Sequence, residues 1–307
     1  MKEKINIIII VFLVILLPAI SIFSYQKIQD YNKARYIRIL SEKRKAAWGN
    51  FNRQLISEIN KFKGESGVVI KDLESGWEFT YGKDKLFPSA SLVKIPIMAA
   101  SFLASCQGRI SLDREIALKP SDKLTGSGIL KAMPAGTTLN VERLIGLMIY
   151  DSDNTATNII TNLVGIDYLN SAFRDFGLQN TGLLRKVADY KLRNKGIENY
   201  TTAEDMALLL EKMYRRELVN KNISDKCISI LKLTRFNDRI PKYLPADITI
   251  AHKTGLERNV CHDAGVVFTP NGNFLICVLT RYKNANSNLA KEFIARIALL
   301  TYNFYEK

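Results

Sequence analysis

Histidine and paired cysteine are scarce in this chain, and their scarcity disfavours several kinds of chemistry. The 307 residues include 2 His and 4 Cys. The cysteines form no Cys-x-x-Cys pair, so zinc-ribbon and thioredoxin-like sites have no support, and the single Cys-His neighbour pair is a weak metal signal. We therefore predict no metal, no other cofactor, and buried free thiols. The four cysteines are Cys106, Cys227, Cys261 and Cys277.

Acidic residues are in the minority, and motifs for nucleotides and nucleic acids are missing. The chain has 30 Asp and Glu against 44 Lys and Arg, a formal net charge of +14. The basic residues are scattered, no nucleic-acid-binding module is present, and no Gly-rich phosphate loop or Gly-x-Ser-x-Gly motif occurs. We expect no nucleic-acid partner. A basic face near anionic lipid or an anionic cell-wall polymer fits the charge better.

One long apolar run stands at the N-terminus. It extends over residues 7–23, and Lys2 and Lys4 precede it. A helix of that length nearly crosses a hydrocarbon core of about 30 Å. We predict a cytoplasmic tail at residues 1–4 and a single-pass signal anchor at residues 5–25, so that the rest of the chain is extracytoplasmic at the cell membrane. Secretion after signal cleavage is the alternative.

The order of predicted elements indicates an α+β fold. An amphipathic pattern at residues 26–64 predicts a stalk and a first helix. Strands at both ends and helices between them imply one antiparallel sheet with helices packed on it and an inserted all-helical lobe. We expect a single catalytic domain at 65–307, with its cleft between sheet and lobe. The predicted strands are 67–70, 77–81, 248–252, 264–269 and 274–280, and the predicted helices are 89–105, most of 141–214, and 290–305.

The turn between the last two strands predicts their register. Asn271-Gly272 is a signal for a two-residue hairpin turn. If these residues centre the turn, Cys277 lies opposite Val266 rather than Cys261. We therefore expect no disulfide between Cys261 and Cys277.

Three short motifs follow one another along the chain in a fixed order. They are Ser91-Leu92-Val93-Lys94, Ser152-Asp153-Asn154 and Lys253-Thr254-Gly255. The Ser-x-x-Lys pattern occurs three times, but the other two motifs occur once each. Of the three matches, only the one at Ser91 precedes the other two motifs with a suitable spacing and structural setting. The ordered set is a stronger signal than any one of its parts.

The residue types in these motifs fit one reaction centre. A serine hydroxyl becomes a nucleophile when a base takes its proton, and Lys94 follows Ser91 by three residues on the same face of a predicted helix. A lysine can be that base if burial or nearby positive charge lowers its pKa. Lys253 and Thr254 follow a predicted strand and can receive a carboxylate, while Gly255 leaves room for substrate beside the strand.

In this order the motifs resemble those of the penicillin-recognising serine enzymes, above all the class A β-lactamases. The resemblance covers residues 65–305 and implies a β-lactamase/transpeptidase-like fold. It also implies that Ser152 relays a proton to the leaving nitrogen, that Asn154 donates its amide to the substrate, and that the backbone N–H groups of Ser91 and Leu256 form an oxyanion hole. The predicted catalytic residues are Ser91, Lys94 and Ser152, and the predicted substrate-binding residues are Asn154, Lys253, Thr254, Gly255 and Leu256.

The chain departs from the class A pattern in one loop. Class A enzymes carry Arg-x-Glu-x-x-x-Asn there, and the glutamate activates the water that releases the acylated serine. The best register places Arg185 at the arginine, Val187 at the glutamate and Lys191 at the asparagine. Asp189 is the nearest carboxylate, and Glu198 lies too far along the chain. The resemblance therefore implies acylation but not fast hydrolysis.

Three functions remain open at this point. The preferred one is a membrane-anchored serine hydrolase that forms an acyl-serine intermediate with β-lactams or related amides. The second is a DD-peptidase acting on peptidoglycan stem peptides through the same intermediate. The third is a slowly deacylating penicillin-binding module that works as a sensor or trap. In each case we expect a monomer whose substrate is a β-lactam or a peptidoglycan peptide.

Overall fold

The computed structural model describes residues 2–283 and 286–306, without the side chains of residues 2–19, 44 and 46. It divides into two units, residues 1–49 and residues 50–307. Among the residues searched, no helix is both long and apolar enough to span a membrane. Most of the signal anchor predicted at 5–25 has side chains outside the described part, so the anchor stays a prediction.

Helices and strands alternate irregularly along the described residues. The strands are β1 (Glu65–Asp72), β2 (Glu78–Tyr81), β3 (Phe87–Pro88), β4 (Glu115–Ala117), β5 (Thr138–Asn140), β6 (Tyr200–Thr201), β7 (Thr249–Glu257), β8 (Val260–Phe268) and β9 (Phe274–Arg281). The helices are α1 (Lys2–Lys61), α2 (Lys94–Cys106), α3 (Val141–Tyr150), α4 (Asn154–Val164), α5 (Ile166–Asp175), α6 (Tyr190–Asn194), α7 (Ala203–Tyr214), α8 (Lys221–Leu231) and α9 (Asn288–Tyr305). Four 3₁₀ turns are described, at Ala90–Val93, Pro120–Asp122, Leu130–Ala132 and Ile240–Tyr243.

The main sheet joins the two ends of the catalytic unit. Its strand order is β2-β1-β9-β8-β7, and each neighbouring pair is antiparallel. Strand β1, from the start of the unit, pairs along its whole length with β9 near the end of the chain. This confirms the predicted α+β arrangement of one antiparallel sheet with helices between its two sequence halves. Strand β7 forms one edge.

Helices cover both faces of the sheet. In β8 every residue but Phe268 is buried, as expected for a central strand with no solvated face. Because side chains alternate along a strand, Val266 and Cys277 join the buried cluster of the helical lobe, while their neighbours Val267 and Ile276 point to the other face. On that other face α9 packs against β8 and β9, and Phe274 stacks on its Tyr305 with ring centroids 4.8 Å apart.

The register of the last hairpin differs from the prediction by two residues. Cys277 lies opposite Ala264, not Val266, and Cys261 lies opposite Thr280. The connection is longer than a two-residue turn because the Thr269 hydroxyl folds it: Oγ1 donates to the carbonyl of Gly272 at 2.7 Å. All four cysteines are free, but Cys106 is exposed rather than buried, because it ends helix α2 at the surface.

Strand β7 extends further than the sequence pattern predicted. Lys253-Thr254-Gly255 was expected just after a strand ending at residue 252, whereas β7 continues to Glu257. Its last pair with β8 is Glu257 opposite Val260, so the whole motif lies in the ladder. The polar residues do not end the strand because Lys253, Thr254 and Gly255 are all buried against neighbouring elements.

Candidate active site

Ser91 lies in a strained turn in front of helix α2. It occupies the 3₁₀ turn Ala90–Val93, whose Leu92 and Val93 are fully buried and anchor the turn in the core. Ala90 has a φ of 44°, a left-handed conformation that costs a residue other than glycine on the order of 1 kcal/mol or more. Ser91 is half-buried, and its hydroxyl has no hydrogen-bond partner within residues 2–283 and 286–306.

Lys94 begins helix α2 and is completely buried. Its Nζ donates to the carbonyl oxygen of Ser152 at 2.5 Å, to Oγ of Ser152 at 3.1 Å and to Oδ1 of Asn154 at 2.9 Å. Residues 94 and 152–154 therefore form one hydrogen-bonded cluster although almost sixty residues separate them in sequence. The amine of Lys94 therefore points to the second motif, although Lys94 itself lies one helical turn from Ser91 along the chain.

The second motif connects helices α3 and α4. Ser152 has a φ of 52° and is buried, so its side chain and carbonyl are both held toward Lys94. Asp153 caps α4 by accepting from the backbone N–H of Ala156 at 2.9 Å, and its other oxygen accepts from the N–H of Leu130 at 2.8 Å. Both carboxylate oxygens of Asp153 therefore accept hydrogen bonds from backbone N–H groups.

The third motif brings a second buried lysine to Ser152. Nζ of Lys253 donates to Oγ of Ser152 at 3.0 Å and to the carbonyl of Thr254 at 2.8 Å. A Cβ on Gly255 would lie 3.4 Å from Cβ of Ala90, so the strand passes close to the turn that carries the candidate nucleophile. The next residue, Leu256, is exposed on the edge strand.

Burial and mutual repulsion shift the proton affinity of both lysines. Desolvation lowers the pKa of Lys94 to about 7, against the attraction of Asp153 and Glu257. Desolvation also holds the pKa of Lys253 well below its usual value, and the positive charges of Lys94 and Arg239 add to this effect. A neutral amine is therefore accessible at this site near neutral pH, as a base must be.

The loop that departs from the class A pattern is closed by ion pairs. Nη2 of Arg185 lies 2.5 Å from Oε1 of Glu198, and both side chains are buried. Val187 is also buried, and Asp189 caps helix α6 by accepting from the N–H of Leu192 at 3.0 Å. Lys191 is exposed. The position that the resemblance assigns to the class A glutamate, Val187, therefore carries no carboxylate.

Sequence reasoning missed the ionic residues that join this loop to strand β7. Glu257, the last residue of β7, lies 3.1 Å from Nη1 of Arg193 and 3.7 Å from Nη2 of Arg185. Arg193 also pairs with Glu198 at 3.0 Å. The only signal was an acidic residue two places after Gly255. Within the described part of the chain, no group of three His, Cys, Asp or Glu side chains is suited to hold a metal ion.

A serine on a strained turn, a buried lysine of lowered pKa and a second hydroxyl between two lysines define a serine hydrolase that works through an acyl intermediate. The α+β fold with its inserted helical lobe is consistent with that class. A model of the β-lactamase enzyme family matches residues 50–305, and the chain therefore belongs to that family.

Individual relatives agree with the family assignment. The β-lactamase VEB-1 of Pseudomonas aeruginosa is 28% identical over 257 residues, covering 78% of this chain and 85% of that protein. The extended-spectrum β-lactamase PER-1 of the same organism is 23% identical over 285 residues, with coverages of 84% and 91%.

Solved structures share the fold. A β-lactamase from Sphaerobacter thermophilus DSM 20745 has a TM-score of 0.76 at 28% identity, covering 84% of this chain and 98% of that chain. PBP-A has a TM-score of 0.76 at 30% identity, with coverages of 84% and 96%. A variant of PBP-A, with a TM-score of 0.77 at 30% identity, was solved as an acyl-enzyme complex with penicillin G.

The lowered pKa of Lys94 predicts a specific pH dependence of stability. Between about 7 and the ordinary value of 10.5, the unfolded chain binds a proton that the native site lacks. The free energy of unfolding therefore gains up to about 1.4 kcal/mol per pH unit from this residue in that window. Lys94→Met removes the contribution, so its stability relative to the parent should decline as pH rises from 7 toward 10.

Urea unfolding of both proteins across this range measures the effect. The exposed Lys85 provides the control, because its ammonium group stays in water in both states, and Lys85→Met should leave the slope unchanged. Parallel curves for the parent and Lys94→Met would contradict the lowered pKa.

Proposed function

We propose that the protein forms an acyl-serine intermediate with β-lactams through Ser91 and then hydrolyses it. The Ser91 Oγ attacks the lactam carbonyl carbon while neutral Lys94 accepts its proton. The C–N bond of the ring breaks, and the departing nitrogen receives a proton from the hydroxyl of Ser152. The support is the fully buried Lys94, whose pKa of about 7 leaves part of the population neutral at physiological pH.

Ser152 is suited to pass a proton because two amines share its hydroxyl. Lys94 and Lys253 both donate to its Oγ, at 3.1 and 3.0 Å. When Ser152 gives its proton to the leaving nitrogen, either ammonium can replace it over one hydrogen bond. The proton taken from Ser91 can therefore return to the product without passing through bulk water.

The substrate's polar groups have matching partners around this centre. We assign its carboxylate to Lys253 and Thr254, because a bound anion restores the proton affinity that burial takes from Lys253. Gly255 leaves the strand edge open, and Asn154 can donate its amide to a substrate carbonyl. The N–H groups of Ser91 and Leu256 are assigned to the developing oxyanion.

The nucleophile assignment predicts the loss of covalent labelling. Ser91→Ala should show no mass increase after incubation with penicillin, whereas the parent chain should gain the mass of one penicillin molecule. Intact-protein mass spectrometry measures both. Ser229→Ala, in another Ser-x-x-Lys match on helix α8, is the control and should label like the parent. A persistent adduct on Ser91→Ala would refute the assignment.

Val187 favours a second function for the same centre. DD-peptidase chemistry on peptidoglycan stem peptides uses an acyl-serine without the loop glutamate, and the buried Val187 leaves that position without a carboxylate. Release of D-alanine from a stem-peptide mimic, without steady turnover of a chromogenic cephalosporin, would favour this activity. A penicillin adduct with neither activity would favour a slowly deacylating binding module.

We also propose that the catalytic unit is held at the outer side of the cell membrane by the N-terminal segment. The apolar run at residues 7–23 and the preceding Lys2 and Lys4 support this. The expressed chain should remain with membranes after a high-salt wash and be released by detergent. Deletion of residues 1–25 should abolish retention. If the full chain leaves the membrane with salt, or is found shortened in the medium, secretion after cleavage is the better account.

A further inference from the structure

Hydrolysis of an acyl-serine needs a base for the attacking water, and the loop offers none at Val187. Resting on the function proposed above, we propose that the carboxylate of Glu257 is this general base, supplied from strand β7 instead of from the loop. Glu257 would then be a catalytic residue for deacylation. Acylation would not depend on it.

The register of β7 points Glu257 to the correct side of the sheet. Side chains alternate along a strand, so Glu257 shares a face with Gly255 and Lys253. Ala264 pairs with Lys253 and lies on the same face. Because Ala264 belongs to the buried cluster of the helical lobe, this face is the one that meets the lobe. The Cβ direction of Gly255 meets Ala90, beside the nucleophile. Glu257 lies about 7 Å further along the same strand, close enough for its charge to act on Lys94.

Two carboxylates act on the charge of Lys94, and their oxygens differ in availability. The two are Asp153 and Glu257. Both oxygens of Asp153 accept backbone hydrogen bonds, from Ala156 and Leu130. Oε2 of Glu257 is buried and faces two arginines, whereas Oε1 has no hydrogen-bond or ion-pair partner in the described part of the chain. Glu257 is therefore the one of the two that has an oxygen able to accept a proton from water.

The charges around Glu257 hold it in place through Oε2 and leave Oε1 unpaired within the described part of the chain. Arg193 and Arg185 lie at 3.1 and 3.7 Å, and both also pair with Glu198. The two arginines thus share two carboxylates, which keeps the cluster near neutral. Burial and the repulsion of Glu198 outweigh the arginines and Lys94 and raise the pKa of Glu257 above its usual range, which makes its carboxylate a stronger base.

The step balances with water as the only co-reactant. Glu257 takes a proton from water while the water oxygen bonds to the acyl carbonyl carbon. The tetrahedral intermediate collapses by breaking the bond between that carbon and Oγ of Ser91. The proton held by Glu257 returns through solvent within the site to Oγ, which regenerates the hydroxyl and the carboxylate and leaves a carboxylic acid product.

Glu257→Gln in the full chain tests the assignment, because the amide keeps the shape but cannot take the proton. The variant should be acylated by penicillin within a few-fold of the parent rate. Its adduct should be released about 100-fold more slowly or worse, the effect expected for loss of a general base. Intact-mass time courses after removal of free penicillin measure both rates. The parent's deacylation rate should fall at acidic pH as Glu257 becomes protonated, and the rate of the variant should not show this fall.

Glu198→Gln is the matched control, since Glu198 pairs with the same two arginines. It should deacylate within a few-fold of the parent, with the acidic limb moved to lower pH because one negative charge beside Glu257 is gone. Equal arrest in both glutamine variants would mean that the ion pairs matter only for loop structure, and would overturn the proposal. So would arrest by Asp189→Asn with normal release by Glu257→Gln.

Two further outcomes separate this inference from the function on which it rests. A parent chain that neither acquires penicillin nor hydrolyses it would overturn the acyl-serine proposal itself. A parent chain that is acylated but keeps its adduct for a day would leave acylation by Ser91 intact and overturn both the proposed hydrolysis and the role of Glu257 in it.

Discussion

Two buried amines beside one hydroxyl repel each other when both are protonated, and this constraint organises the site. Nζ of Lys94 and Nζ of Lys253 both donate to Oγ of Ser152, so the two nitrogens are roughly 6 Å apart at most. At an effective dielectric constant of about 20, two unit charges at that distance repel by on the order of 3 kcal/mol. Desolvation adds to the penalty. The cluster is therefore poised to hold one proton fewer than two free lysines would.

The fold maintains this arrangement through rigid local structure. Ala90 and Ser152 both have positive φ, a conformation that costs about 1–3 kcal/mol at each position and persists when the surroundings determine it. Leu92 and Val93 fix the first turn in the core. Asp153 fixes the second by accepting two backbone hydrogen bonds. Strand β7 brings Lys253 from the far end of the sheet. Three distant segments thus meet at one hydroxyl.

The motifs that predicted this meeting carry their chemistry in consecutive residues. Ser91 to Lys94 is one helical turn, and Lys253 to Gly255 is one stretch of strand, so residue type and spacing were enough to nominate them. The α+β arrangement followed from the order of strands and helices. The ionic cluster of Arg185, Arg193, Glu198 and Glu257 was not predictable in this way, because it forms only when the loop folds against β7. The hairpin register failed for a similar reason: Thr269 reshapes the turn through a side-chain hydrogen bond that the Asn-Gly signal does not contain.

The role proposed for Glu257 would alter the family's reaction centre without altering its fold. The loop position that the resemblance assigns to the class A glutamate is the buried Val187, while Oε1 of Glu257 on strand β7 has no hydrogen-bond or ion-pair partner in the described part of the chain. In the proposed mechanism, acylation depends on Lys94 and release on Glu257, so the two steps can diverge independently in sequence.

The central claim is that Lys94 is the base for acylation because burial lowers its pKa. The measurement that tests this most directly is the second-order rate constant for acylation by penicillin as a function of pH. The account predicts a rise through a midpoint near 7, the pKa of Lys94. A rate that is independent of pH between about 5.5 and 9, or a midpoint near the ordinary lysine value of about 10.4, would contradict it.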